Sequence, residues 1–149
     1  MLVPIIMGSE VDKPHAEKIT EIFDKFGVKY ELKVASAHKV PEKVLEIVQD
    51  YNKSDECICY ITIAGRSNGL SGVVAANSVH PVVACPPFKD KDDFSVNINS
   101  TLQMPSDTPV LTVVDPKNAA LAVMRVLGNC DKDLKTKIAK GIEKVKAGF

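Results

Sequence analysis

Tryptophan is absent from the 149 residues, and there are only three Tyr and five Phe. A chain so short of aromatics is poorly supplied with the platforms on which single-stranded bases stack. A charge excess is missing too: Lys and Arg total 19, Asp and Glu total 19, and the formal net charge is zero. Nucleic-acid affinity draws mainly on a basic surplus, so nucleic acid is excluded as an expected partner. No apolar run approaches the ~20 residues of a membrane span. Met1–Met7 has no basic flank and meets Gly8-Ser9 too soon for a secretory leader. Neither a GxGxxG nor a GxxxxGK motif occurs, nor any His/Asp/Glu set at metal-ligand spacing. The four cysteines, Cys57, Cys59, Cys85 and Cys130, include no CxxC pair. They read as small buried hydrophobes of a reducing compartment, so a cytoplasmic protein is expected. Arginine is nearly absent as well: only Arg66 and Arg125 occur, and Arg66 falls in a glycine-flanked segment.

What is present is alternation. Short apolar, β-rich runs at Leu2–Met7, Tyr30–Val34, Cys57–Ile63, Val82–Cys85 and Val110–Val114 are separated by helical patterns. Ala16, Ile19, Ile22, Phe23 and Phe26 share one helical face, and Gly27 ends that helix. Val40, Val44, Leu45, Val48 and Tyr51 form a second face, entered through Pro41. A third helix starts near Asn68, and a short one is expected within 93–103. Asp115-Pro116 opens a helix running to Leu127, and Asp131 caps a last one. Residues 1–149 thus read as one α/β domain with three αβα layers. A flavodoxin-like parallel sheet of order 2-1-3-4-5 fits five strands best. In the last helix, about 131–147, Leu134, Ile138, Ile142 and Val145 make a stripe beyond the fifth βα unit. That stripe predicts packing on a neighbouring subunit.

In such sheets ligands bind outside the carboxyl ends of the strands, at the switch between the first and third. Three loops converge there: Gly8-Ser9-Glu10-Val11-Asp12, Ser36-Ala37-His38-Lys39 and Ala64-Gly65-Arg66-Ser67-Asn68-Gly69. Gly8 lets a ligand approach the backbone, and Ser9 with a helix N-terminus offers donors to an anion. Lys39 and Arg66 suit a phosphate, and Asp12 can accept from a ribose diol. His38 brings an imidazole, which ordinarily titrates at about 6.5 and suits proton transfer. The set points to a phosphorylated ribose with proton chemistry beside it. Each residue also has a plainer reading. Asp12 is a plausible helix cap, Ser9 and Ser36 are common in turns, and Gly65 and Gly69 can serve backbone geometry. His38 and Lys39 can simply be solvated, and His15 and His80 read as surface residues.

Met7-Gly8-Ser9 with Asp12, Ser36-Ala37-His38, Ala64-Gly65 and the late Leu102-Gln103-Met104-Pro105 resemble, in order and spacing, one family across almost the whole chain. That family is the phosphoribosylaminoimidazole carboxylases and carboxyaminoimidazole ribonucleotide mutases of purine biosynthesis. The resemblance implies a homo-octamer with neither metal nor organic cofactor. Its partners would be a nucleotide substrate, 5-aminoimidazole ribonucleotide, and carbon dioxide. His38 would be catalytic. Gly8, Ser9, Asp12, Ser36, Ala37, Lys39, Ala64, Gly65, Arg66, Ser67, Asn68 and Gly69 would contact substrate. Mutases of the family carry a Gly-Gly-Ala-Ala-His type loop after the third strand and an Arg after Ser-Ala-His. Gly65-Arg66-Ser67-Asn68-Gly69-Leu70 and Lys39 are instead similar to the branch that takes carbon dioxide directly. In animals that branch is fused to a succinocarboxamide synthetase, for which 149 residues leave no room. Glu10 stands where a small residue is usual. Outside the family, a flavin-mononucleotide-binding flavodoxin-like module is the competing expectation. The three loops lack the aromatic side chains such a module stacks on its ring.

Overall fold

Alternation in the strands decides the architecture. Val3, Ile5 and Met7 point to one side of the first strand, and Leu2 and Ile6 to the other; all are buried. A strand apolar on both faces needs cover on both, as in a parallel sheet. A computed structural model describing residues 1–149 shows that cover. Five parallel strands, β1 (Val3–Met7), β2 (Tyr30–Val34), β3 (Tyr60–Ile63), β4 (Val82–Ala84) and β5 (Leu111–Thr112), lie in the order β2-β1-β3-β4-β5. Ile5 pairs with Leu32 on one side and Ile61 on the other.

Helices α1 (Lys13–Phe26), α6 (Pro116–Leu127) and α7 (Lys132–Lys146) cover one face. Their core joins Ile5, Met7, Ile61 and Ile63 to Ile19, Phe23, Val123 and Met124. On the other face, α2 (Pro41–Asn52) and α3 (Gly69–Asn77) bury Val44, Val48, Leu70 and Val74 against Ile6, Ile58 and Tyr60. Two short helices, α4 (Lys91–Asn97) and α5 (Asn99–Leu102), lie between β4 and β5. The expected 93–103 helix is therefore broken in two.

Local signals explain the boundaries. Gly27 ends α1 in the left-handed region, φ 70°, where a side chain would be strained. Asp115 and Asp131 accept from the backbone N–H groups of Asn118 and Leu134, capping α6 and α7.

Three expectations are corrected. Cys57 and Cys130 are not free thiols but a disulfide, with Cα atoms 6.5 Å apart. The amino end of β3 and the loop after α6 meet at the edge opposite the ligand-binding loops. The free-thiol argument for a reducing compartment therefore falls away; only Cys59 and Cys85 are free and buried. Second, α7 does not leave its whole stripe for a neighbour. Leu134 lies in the main core and Ile138 packs against it, while Ile142 and Val145 remain 38% and 64% exposed. Third, His15 and His80 are half-buried rather than superficial. Imidazole Nε2 of His15 lies 3.4 Å from Cys85 Sγ, and that of His80 lies 3.1 Å from the Tyr51 carbonyl. No helix is long and apolar enough to cross a membrane.

Candidate active site

Placing β1 between β2 and β3 brings their three following loops together. They line one cleft of about 620 Å³. Gly8, Ser9, Asp12, Ser36, Ala37, His38, Lys39, Ala64, Gly65, Arg66 and Ser67 all border it.

Gly8 ends β1, its N–H donating to the Ile63 carbonyl at 2.9 Å. A Cβ there would sit 3.5 Å from Ala64 Cβ, so the first and third loops touch directly. Ser9 and Asp12 bracket a single 3-10 turn, Glu10–Asp12. Ser9 Oγ accepts from Val11 N–H, and Ser9 N–H donates to Asp12 Oδ2 at 3.2 Å. The two thus form a capping box on this turn, which fixes them at the cleft wall, whereas Asp12 makes no side-chain cap bond to α1 itself. Partial burial raises the Asp12 carboxyl pKa above its ordinary value, a shift that the Ser9 N–H only partly offsets.

The second loop is a turn in which Ser36 Oγ accepts from Lys39 N–H at 3.3 Å. It presents His38 and Lys39, both exposed, to the cleft. His38 leans on the third loop. A Cβ on Gly69 would lie 2.8 Å from His38 Nε2 and 3.1 Å from Cε1. The ring thus occupies the space where any other residue would carry its side chain.

Arg66, 75% exposed, pairs with Asp93 at 3.6 Å. Gly65, Arg66 and Ser67 have no backbone N–H hydrogen bond within the chain, whereas those of Asn68 and Gly69 donate to Ser100 Oγ and the Ser67 carbonyl. Three donors in a row are therefore available to an anion at this loop. Asn68 and Gly69 do not border the cleft. Asn68 is 4% exposed, and its amide is committed to Ser71 and Thr101 as the cap of α3.

A fourth loop, following β4, was not anticipated. Pro87, Phe88, Lys89 and Asp93 border the same cleft, as do Val11 and Leu70. Phe88 packs edge-on against Phe94, with ring centroids 4.9 Å apart. The cleft therefore does hold an aromatic, although the three expected loops supply none. The signal was available: Pro86-Pro87-Phe88-Lys89 follows a strand adjacent to β3 and must emerge at the same sheet edge. Asp93 braces this loop, accepting from Lys89 N–H at 3.0 Å and from Asn97 Nδ2. Lys39, Arg66 and Lys89 outnumber Asp12 and Asp93 around the cleft, a balance that suits a phosphate. Nowhere do three or more His, Cys, Asp or Glu side chains gather as a metal site requires.

The comparisons with known proteins agree with one another. The family model described as AIR carboxylase matches residues 2–147. The phosphoribosylaminoimidazole carboxylase of Archaeoglobus fulgidus is 42% identical over 140 residues, covering 94% of this chain and 76% of that protein. That of Treponema denticola is 41% identical over 143 residues, covering 95% and 89%. A bifunctional Drosophila melanogaster protein, phosphoribosylaminoimidazole carboxylase/phosphoribosylaminoimidazole succinocarboxamide synthetase, is 42% identical over 127 residues, which are 29% of its length. The crystal structure of Treponema denticola PurE superposes with a TM-score of 0.92 at 39% identity, covering 99% of this chain and 92% of that one. With sequence, fold and sheet order all in accord, the chain belongs to the AIR carboxylase family.

Proposed function

We propose that this chain joins carbon dioxide to carbon four of 5-aminoimidazole ribonucleotide, without ATP, and does not use the carbamate as a mutase does. The ring is enamine-like, so its carbon is already nucleophilic. The protein must hold carbon dioxide against that carbon, stabilise the carboxylate as the C–C bond forms, and accept the proton the carbon then releases. Correct placement alone can lower a barrier by roughly 7–11 kcal/mol in ideal cases. Ser9, Ser36 and Lys39 hold the phosphate, and Asp12 accepts from the ribose. The N–H groups of Gly65, Arg66 and Ser67 face the growing carboxylate. His38 takes the ring proton. Arg66, paired with Asp93, ties the third loop to the fourth and keeps these donors in place. The family resemblance further supports a homo-octamer.

The observation that carries the branch is the His38 ring resting on bare Gly69, where a Cβ would stand 2.8 Å from Nε2. In the mutase branch that position bears a histidine, which has no room here while His38 keeps its place. A mutase must cleave a nitrogen-bound carboxylate before re-adding it, so it has two proton transfers to manage. One histidine on a glycine shelf suits the single transfer of direct carboxylation. The test compares rates at fixed enzyme: carbamate alone under carbon-dioxide-free conditions, against aminoimidazole ribonucleotide with rising bicarbonate. Turnover should follow bicarbonate. Faster use of the carbamate, beyond its spontaneous breakdown, moves the chain to the mutase branch.

A further inference from the structure

Beneath the cleft runs a line of buried polar side chains that the chemistry above does not use. It begins in β3 at Thr62, whose Oγ1 lies 2.7 Å from Ser71 Oγ. Ser71 donates to Asn68 Oδ1 twice, from its hydroxyl at 2.9 Å and its N–H at 3.1 Å. That leaves Thr62 as the donor to Ser71. Asn68 Nδ2 donates to Thr101 Oγ1 at 3.0 Å, and Asn68 N–H to Ser100 Oγ at 2.9 Å. Ser100 donates in turn to the Asn97 carbonyl. Thr62, Ser71, Asn68 and Thr101 are all buried.

A buried polar chain costs desolvation that an apolar filling avoids. Fully satisfied, it enforces one geometry. What this one enforces is the position of the third loop. Asn68 is the residue before α3, and the next residue, Gly69, lies under the His38 ring, so close that a Cβ there would come within 2.8 Å of Nε2. A shift at residue 69 therefore changes the surface against which the imidazole lies.

We propose that Asn68 is a positioning residue: anchored to Ser100 and Thr101 of α5 and to Ser71 of α3, it sets the shelf on which His38 rests. The proposal rests on His38 as the proton acceptor. It gives α5, none of whose residues borders the cleft, a part in proton transfer.

The test is Thr101→Val, which keeps the shape and removes the acceptor of Asn68 Nδ2. The variant should lose about 10- to 100-fold in kcat, the scale of a misplaced catalytic group. KM for aminoimidazole ribonucleotide should stay within about twofold, because other loops hold the phosphate and ribose. Thr101→Ser, which restores a hydroxyl, should recover most of the loss. The second readout needs no turnover. The chain has three His, so the ring signals of a 13C-histidine-labelled sample are separable by NMR. In Thr101→Val the His38 signal should move while those of His15 and His80 stay. If Thr101→Val does not fold, Ser100→Ala removes the acceptor of Asn68 N–H, together with the Ser100 bond to the Asn97 carbonyl, and carries the same expectation. A lower Tm with kcat and the His38 signal both unchanged overturns the proposal and leaves the chain a structural brace. A wild-type protein inactive on either substrate overturns the carboxylase reading instead, and the ring signal still decides the role of Asn68.

Discussion

At the scale of single residues, His38 and Asp12 border the same cleft but have separable tasks. His38→Asn keeps approximate size and a hydrogen bond yet cannot cycle a proton, so kcat should fall by about 100- to 10,000-fold with KM little changed. Retention of more than about a tenth of wild-type turnover would mean that His38 is not the proton acceptor. Asp12→Asn should instead raise KM and spare kcat, since the ribose hydroxyls do not change charge. Its stability signature runs opposite to that of a salt-bridged carboxylate. Burial raises the folded-state pKa of Asp12, so the fold favours the protonated form. That contribution is fully present below the unfolded value of about 3.9 and is lost as pH rises through the folded value. The neutral Asn carries no such loss. Thermal melts should therefore find Asp12→Asn at least as stable as wild type at pH 7, with the advantage gone near pH 4. A Tm several degrees lower at pH 7, with KM unchanged, would make Asp12 a structural cap only.

At the scale of elements, strand and helix order was legible because each boundary carries its own chemistry. Pro14, Pro41 and Pro116 open helices, Gly27 closes one, and Asn68, Asp115 and Asp131 cap. The sheet order followed from two-sided apolar strands, and it brought eleven of the thirteen expected site residues to the cleft border. The two exceptions could not be told from their neighbours by loop membership: the Asn68 side chain turns inward to Ser71 and Thr101, and Gly69 lies under the His38 ring. The fourth loop was missed because only the switch-point strands were followed. The Cys57–Cys130 bond was not legible: 73 residues separate the pair, and nothing local relates them. Its mechanical role can be tested. It ties the amino end of β3 to the loop that launches α7, on the edge away from the cleft. Closing so long a loop restricts the unfolded chain, with typical stabilisation of about 2–4 kcal/mol. Reduction, or Cys130→Ser, should lower the unfolding midpoint in denaturant accordingly and leave kcat unchanged. An unaltered midpoint would show that the bond does not constrain the unfolded chain.

At the scale of the whole molecule, the open question is what covers the far half of α7. Single exposed apolar residues are ordinary on a soluble surface. Ile142 and Val145 are not single. They line a cleft of about 810 Å³ between α1, α6 and α7, together with Phe26, Leu121 and Ile138. Phe26 reaches into it opposite Gly141, where an added Cβ would make ordinary van der Waals contact with the ring at 3.6 Å. The near half of the stripe is spent within the chain on Leu134 and Ile138, so only the far half is left to face a neighbour. Light scattering at micromolar concentration should give a mass several times the 16.2 kDa of one chain, with eight copies expected from the family resemblance. Val145→Glu, whose side chain is already largely exposed, leaves the fold's own core untouched but places a charge on the stripe. It should lower the assembled mass, or weaken assembly as protein concentration falls, while circular dichroism stays that of the wild type. A wild-type monomer at micromolar concentration overturns the oligomer. An oligomer indifferent to Val145→Glu places the interface elsewhere, and the α7 stripe then has no part in it.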